Sequence, residues 1–366
     1  MKEGWEYKAL GECCDILDAQ RKPIKKDKRV RGTIPYYGAT GLLDYVKDYI
    51  FDETLVLLGE DGAKWGAGEA SAYEISGKSW VNNHAHVLRP NKDEIINAWL
   101  IYYLNYANLM PYIKGVTVPK LNQQRMSSIR VPIPPLSEQQ RIVSYLDSAF
   151  AKIDAVAKNA EASLNEAKAL FQSALAKMME PKEGWEEKHL DELAENFDNR
   201  RIPVKLDKRK GGQYPYYGAS GIVDYVEDYI FEGNYLLISE DGANLLARAT
   251  PIAFSVSGKF WVNNHAHILK FNNSFTQQYV EYYFKSINIK EYVTGAAQPK
   301  LTQRNLNKIP INIPSINEQQ LIVGDLRKLE NIIQQLQANL SRTLAECEAL
   351  KQAILRQTFE QDGNII

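Results

Sequence analysis

The sequence runs to 366 residues with an apolar share of 45%, longer than one ordinary core, so two or more cores are expected. Lys and Arg (44) balance Asp and Glu (45), which excludes a uniformly basic nucleic-acid binder and leaves room only for local basic patches. No apolar run approaches the roughly 18 residues of a membrane span, "MKEGWEYKAL" is not a signal peptide, and three cysteines with no CxxC pair fit a reducing cytoplasm rather than a disulfide framework.

After "EGWEYKALGE" at 3–12 comes a cluster of cations: Arg21, Lys22, Lys25, Lys26, Lys28, Arg29 and Arg31, interrupted only by Asp27. Most charge runs are solvated loops, but this one is Pro-bearing and non-helical, a setting that suits phosphate contact. "YYGATG" at 36–41 is turn-rich, and "TLVLLGE" at 54–60 has the composition of a strand. "EDGA" at 60–63 leads into "KWGAGEASAYEI" at 64–75. There Lys64 is a candidate donor to a base edge or phosphate, and Trp65 a candidate for a thymine methyl or for plain packing. "SGKS" at 76–79 imitates the end of a P-loop, but Ala72 stands where the first Gly belongs.

"WVNNHAHVLR" at 80–89 reads as a strand, in which His84 and His86 would project from one face. Two such imidazoles are one way to hold zinc, but zinc needs further ligands. Glu60 and Asp61 keep a His/carboxylate site open. The competing reading is that the histidines hydrogen-bond the "EDGA" turn and fix the loop above it. "EIINAWLIYYLNYANLM" at 94–110 has helical spacing. Lys120, in "GVTVPKL", follows a turn and precedes a short helix, where a phosphate would also meet terminal N–H groups. "PPLSEQQ" then places Ser137 as N-cap with Gln140 three residues on. The helix that follows carries a 4-3 seam through Ile142, Leu146, Ala149, Ile153, Val156 and Ala160, restarted by a stutter at Leu164, Ala167, Phe171, Ala174 and Met178.

From 181 the whole pattern returns. "EGWEEKHLDE", "PYYGASGIVDYVEDYIF", "EDGA", "VNNHAH", "PKL" and "IPSINEQQLIV" repeat the first copy at an offset near 180, and 18 of the 30 residues at 34–63 are identical to their partners. The chain is therefore a tandem duplication, with too few copies for a solenoid. The second basic cluster holds Arg200, Arg201, Lys205, Lys208, Arg209 and Lys210, broken by Asp207, and Lys300 mirrors Lys120. "NLLARATPIAFSV" at 244–256 faces 64–75 with one residue inserted and almost no identity, and offers Arg248 as a donor. Divergence between unchanged flanks is what two modules reading different bases would show; drift in a tolerant loop gives the same pattern. Asn317 with Gln320 opens a second helix, whose seam is Ile322, Leu326, Leu329, Ile333, Leu336, Leu340, Thr343, Cys347, Leu350 and Ile354.

The expected fold is α+β: globular modules at 1–136 and 181–316, helices at 137–180 and 317–360, and a tail at 361–366. The first helix would carry the chain about 60 Å at ~1.5 Å per residue. The second would pack antiparallel on it as a coiled coil, with the modules related by a pseudo-twofold axis. A tool with two similar heads at fixed separation suits double-stranded DNA.

The same residues carry a resemblance. Module, "IPxPPLxEQ" helix, second module and second "EQ" helix, in that order, resemble the specificity subunit of type I restriction–modification systems. The "YYGATG…EDGA" and "GxxxPKL" stretches look like its target recognition domains. That resemblance implies that each module reads one half of a bipartite DNA sequence and that the paired helices act as a ruler. It further implies docking of two methyltransferase subunits, association with restriction subunits, no cofactor and no catalysis by the chain itself. The sequence has no GxSxG, no HExxH and no Asn-Pro-Pro-aromatic signature. The alternative is a duplicated metal-dependent enzyme with His/carboxylate sites.

Overall fold

The computed structural model describes residues 4–115, 117–295 and 297–360. The chain divides into two compact units, one made of residues up to Ala160 together with those from Leu340 onward, the other Glu161–Asn339.

The first unit is built on ten strands: β1 (Glu6–Ala9), β2 (Cys14–Ile16), β3 (Arg31–Gly38), β4 (Gly41–Val46), β5 (Phe51–Asp52), β6 (Leu55–Gly59), β7 (Ala72–Ile75), β8 (Lys78–Val81), β9 (Ala85–Pro90) and β10 (Arg130–Ile133). One sheet has the order β2-β9-β6-β7 and is antiparallel throughout. A second, β4-β3-β8-β5, pairs β3 with β8 in parallel, and β1 pairs with β10. The "TLVLLGE" run becomes β6, every residue of which is buried. Alternation explains why: Val56 and Leu58 enter one core, Leu55 and Leu57 another. Each such side chain contributes about 2 kcal/mol by leaving water.

Helix α1 (Asn97–Tyr106) lays Trp99, Leu100 and Leu104 into the first of these cores. Trp99 meets Trp5 edge-on at 5.3 Å and donates its indole N–H to Pro132 O at 2.8 Å. The long helix α2 (Leu136–Met178) starts straight after Pro135, whose carbonyl accepts from the Glu138 and Gln139 N–H groups. The Pro135 carbonyl is thus the first acceptor of the helix, which puts Ser137 inside the first turn and not at the N-cap. Gln139, fully buried, accepts from Ile96 N–H and donates to Glu94 O and Pro134 O, tying helix to module.

The second unit repeats the three sheets. Strands 194–196, 266–271, 235–239 and 253–256 lie side by side, as do 221–226, 211–218, 259–262 and 231–232, and 186–188 pairs with 311–313. Helix α3 (Ser274–Ser286) is capped by Asn273, which accepts from the Phe275 N–H. Helix α4 (Ile316–Glu360) begins with Ser315, not Asn317, at its head: Ser315 O accepts from Gln319 N–H and its Oγ from Glu318 N–H.

The globular cores are not closed by the modules alone. In the second unit Phe171, Leu175 and Met179 join Leu236, Ile238, Ile322 and Leu326. In the first, Leu355 and Phe359 of α4 join Ile142 and Leu146 of α2, and Lys351 pairs with Asp154 at 2.5 Å, so the two segments run antiparallel there. Two expected seam residues face solvent, Val156 at 52% and Leu350 at 51% exposed. The first helix takes its four-residue step earlier than its spacing suggests, from Ile153 to Ala157, and the second, expected to keep the 4-3 rhythm throughout, takes one from Cys347 to Lys351. The steps meet where Cys347 Sγ approaches Ile153 O, so both seams correct the drift of the helix at one level. No described helix is long and apolar enough to cross a membrane.

Candidate nucleic-acid interface

Each copy of the "EDGA" turn sits in a polar network of its own, and the two networks use equivalent residues. The Glu60 N–H donates to His84 O, and Glu60 O accepts from Leu121 N–H, both at 2.8 Å. The Glu60 carboxylate pairs with Lys120 at 2.8 Å and with Arg21. His84 reaches Asp61 through Nδ1, while His86, buried in β9, contacts Asp18 Oδ2 at 2.5 Å and Leu121 O at 2.7 Å. In the second module His267 contacts Asp198 at 2.5 Å and Leu301 O at 2.7 Å, His265 contacts Asp241 at 2.8 Å, and Glu240 pairs with Arg201 at 2.5 Å and Lys300 at 3.1 Å. The two histidines of each "HAH" thus do different work, since His84 lies in the turn before the strand. Burial opposes charge on Glu60, but Lys120 and then Arg21 more than offset it and hold its carboxyl below the ordinary value. Glu240 is held low in the same way by Arg201, His267 and Lys300 against its burial.

Asp18, Glu60 and His86 offer ligand atoms within 4.8 Å of one another, as do Asp198, Glu240 and His267. The geometry does not favour an ion. Both nitrogens of His86 and of His267 are already engaged, one by an aspartate and the other by a backbone carbonyl, the arrangement of a ring that orients its neighbours. The carboxylates already answer to Arg21, Lys120 and their counterparts. This network braces the turn, and the metal-enzyme alternative has no support.

The basic cluster divides into two sets. Arg21 and Arg201 are mostly buried, each spending its guanidinium on an aspartate, a glutamate and backbone carbonyls. Arg29 lies 4.3 Å over the Tyr36 ring, donates to Ile24 O and pairs with Asp44 at 3.0 Å; Arg209 does the same with Tyr216, Val204 O and Asp224. The Tyr36 hydroxyl accepts from Ile24 N–H, and the Trp80 indole donates to Lys22 O at 2.6 Å, with Tyr216 and Trp261 in the same roles. The loop is thereby pinned at several points. Lys22, Lys25, Lys26 and Lys28, and likewise Lys205 and Lys208, point outward and are exposed. Arg200 is exposed too, but lies 5.2 Å over Phe231. Trp80 and Tyr36 escaped sequence reasoning as pinning residues, and Arg29 entered it only as a member of the basic cluster, whereas it is spent on Tyr36, Ile24 O and Asp44; their identity in the second copy was the available signal.

The divergent loops follow the braced turn. Trp65 is buried, donating its indole to Gly59 O at 2.9 Å, whereas Lys64 is exposed. Lys120 and Lys300 stay near half exposed beside their glutamates. Arg248 is half-buried and its guanidinium donates to Phe284 O at 2.7 Å and Ile287 O at 2.9 Å. A cleft of about 810 Å³ opens beside it, lined by Thr250, Lys285, Asn288 and Glu330 among others.

A family model described as the type I restriction modification DNA specificity domain matches residues 2–166 and 182–343. A putative type I restriction enzyme specificity subunit of Haemophilus influenzae is 28% identical, over 94% of this chain and 92% of its own. The MjaVIII specificity subunit of Methanocaldococcus jannaschii is 22% identical over 91% of this chain and 87% of its own. Among solved structures, a chain from a study of assembly and conformational transition of the type I R-M system superposes with a TM-score of 0.72 at 16% identity, covering 99% of both chains. The HsdS subunit from Thermoanaerobacter tengcongensis gives 0.58 at 16% identity, over 99% of this chain and 98% of that one. At these identities the structural matches speak for the fold.

Proposed function

The chain belongs to the family of type I restriction–modification DNA specificity domains, and from that premise we propose that each module reads one half of a bipartite double-stranded DNA target. The exposed lysines of the pinned loops, Lys22, Lys25, Lys26 and Lys28 in one module and Lys205 and Lys208 in the other, contact phosphates. Arg21, Arg201 and Arg29 hold those loops in place. The segments at 64–75 and 244–256 read bases, Lys64 among them, while Trp65 and Arg248 shape the loops from beneath. Lys120 and Lys300 present a cation at the edge of the braced turn. The long helices set the distance between half-sites and dock two methyltransferase subunits, with restriction subunits joining the assembly. The chain itself performs no catalysis.

The observation that carries this reading is a rigidly pinned basic loop present twice beside a loop that differs between the copies. A loop exchange tests it. Putting 64–75 in the place of 244–256, within the complete modification complex, is expected to convert the second methylated half-site toward the inverted form of the first. An unchanged methylated sequence from an active complex would sink the assignment of these loops as readers.

A further inference from the structure

The loop of the first module is held by a residue 284 positions away: Gln352 Nε2 donates to Gly68 O at 3.3 Å. Gly68 has φ +80°, and a Cβ there would lie 2.4 Å from the Gln352 amide, so the absent side chain is what admits the glutamine. The Gly68 N–H donates to Tyr106 O at the end of α1. The Tyr106 ring stacks on Phe359 at 5.1 Å, and its hydroxyl bonds Glu360. Phe359 and Leu355 are buried in the module's core. Two successive turns of α4 therefore touch the loop and the helix end beneath it.

The second module holds its loop from within. Arg248 stands 180 positions after Gly68 and keeps the same left-handed backbone, with φ 53°, the one non-glycine to do so among the described residues. Its guanidinium takes the Phe284 and Ile287 carbonyls, which end α3, a cap that suits the negative end of a helix. Gly68 has no side chain for that task, and Gln352 occupies the place.

We propose that Gln352, backed by Phe359, is a positioning residue for the first reading loop, so that discrimination at one half-site alone depends on the last turns of α4. This rests on the assignment of the divergent loops as base readers. A base contact is geometrically strict, and the Gln352 amide meets the middle of a loop whose ends are held at Trp65 and at Ser71 and Ala72.

The test measures methylation by the complete complex at targets carrying one mismatch in either half. Gln352→Ala is expected to raise methylation of first-half mismatches about fivefold to tenfold relative to the cognate site, the range of one missing hydrogen bond. Second-half mismatches should remain as strongly rejected as before. Gly68→Ala, which collides with the glutamine, should give the same one-sided loss, and Arg248→Ala the opposite one. Unchanged discrimination in Gln352→Ala, or equal relaxation at both halves, overturns the proposal. If the loop exchange moves the second half-site while Gln352→Ala changes nothing, positioning fails and the reading assignment stands. If the exchange moves nothing, both fail together.

Discussion

Arg21 and Lys25 stand four residues apart in one basic cluster, and their surroundings set them opposite tasks. Arg21 is enclosed by Asp18, Glu60 and the carbonyl of Ala85; Lys25 begins an exposed turn with nothing buried in it. Composition places both among candidate phosphate contacts, because the partner that claims Arg21 lies 39 residues downstream. The same holds for Trp65 and Arg248, whose acceptors are backbone carbonyls that no side-chain pattern announces. The exposed lysines carry a direct prediction. Replacing Lys25, Lys26 and Lys28 with Ala should weaken binding to all DNA sequences alike and lower the slope of log affinity against log salt by about 0.9 for each phosphate no longer neutralised. Filter binding across a salt series measures it, and an unchanged slope would make these lysines a solvated face.

Among elements, the junctions are decided by buried glutamines. Gln139 and Gln319 occupy the same place in the two helices, and each donates to the carbonyl of a proline just ahead of the helix. The "EQQ" signature points to a helix start, but the spacing alone favours Ser137 and Gln140 over Pro135 and Gln139. Only the packing of α2 on the Glu94–Ile96 segment separates the two readings. Gln139→Ala strands the Ile96 N–H and two carbonyls in a buried site, so a loss of about 2 kcal/mol in module stability is expected. Urea unfolding gives the total, and faster amide exchange at Ile96 should localise it. A stability equal to that of the parent would mean water replaces the side chain. The seams were legible as a 4-3 rhythm, but the position of the step in α2 and the presence of one in α4 were not. Ala157 and Lys351 displace Val156 and Leu350 because facing segments must stay packed at the same level, a constraint between helices rather than within one.

At the scale of the whole chain, duplication was legible because two copies print the same residues at nearly the same offset. The strand at "TLVLLGE" was legible, whereas "WVNNHAHVLR", read as one strand, is two, β8 and β9, parted by a turn at 82–84 that takes His84 off the strand face. What could not be read is that Phe171 and Leu175 complete the core of the second module and Phe359 that of the first. A heptad pattern says that a helix buries a stripe, not which surface receives it. That sharing limits how the proposed ruler is altered: a deletion must keep the seam and the core-forming ends of both helices. Seven residues removed from the middle of each helix meet that condition, since a heptad returns every seam residue to its own face. About 10 Å is removed from each helix at ~1.5 Å per residue, equal to roughly three base pairs at the ~3.4 Å rise of duplex DNA. Both half-sites should then persist in the methylome while the spacer between them shortens by up to about three base pairs. Removing four residues instead turns the seam aside and should cost assembly outright. If the heptad deletion alters the bases read and leaves the spacer unchanged, the helices do not measure distance.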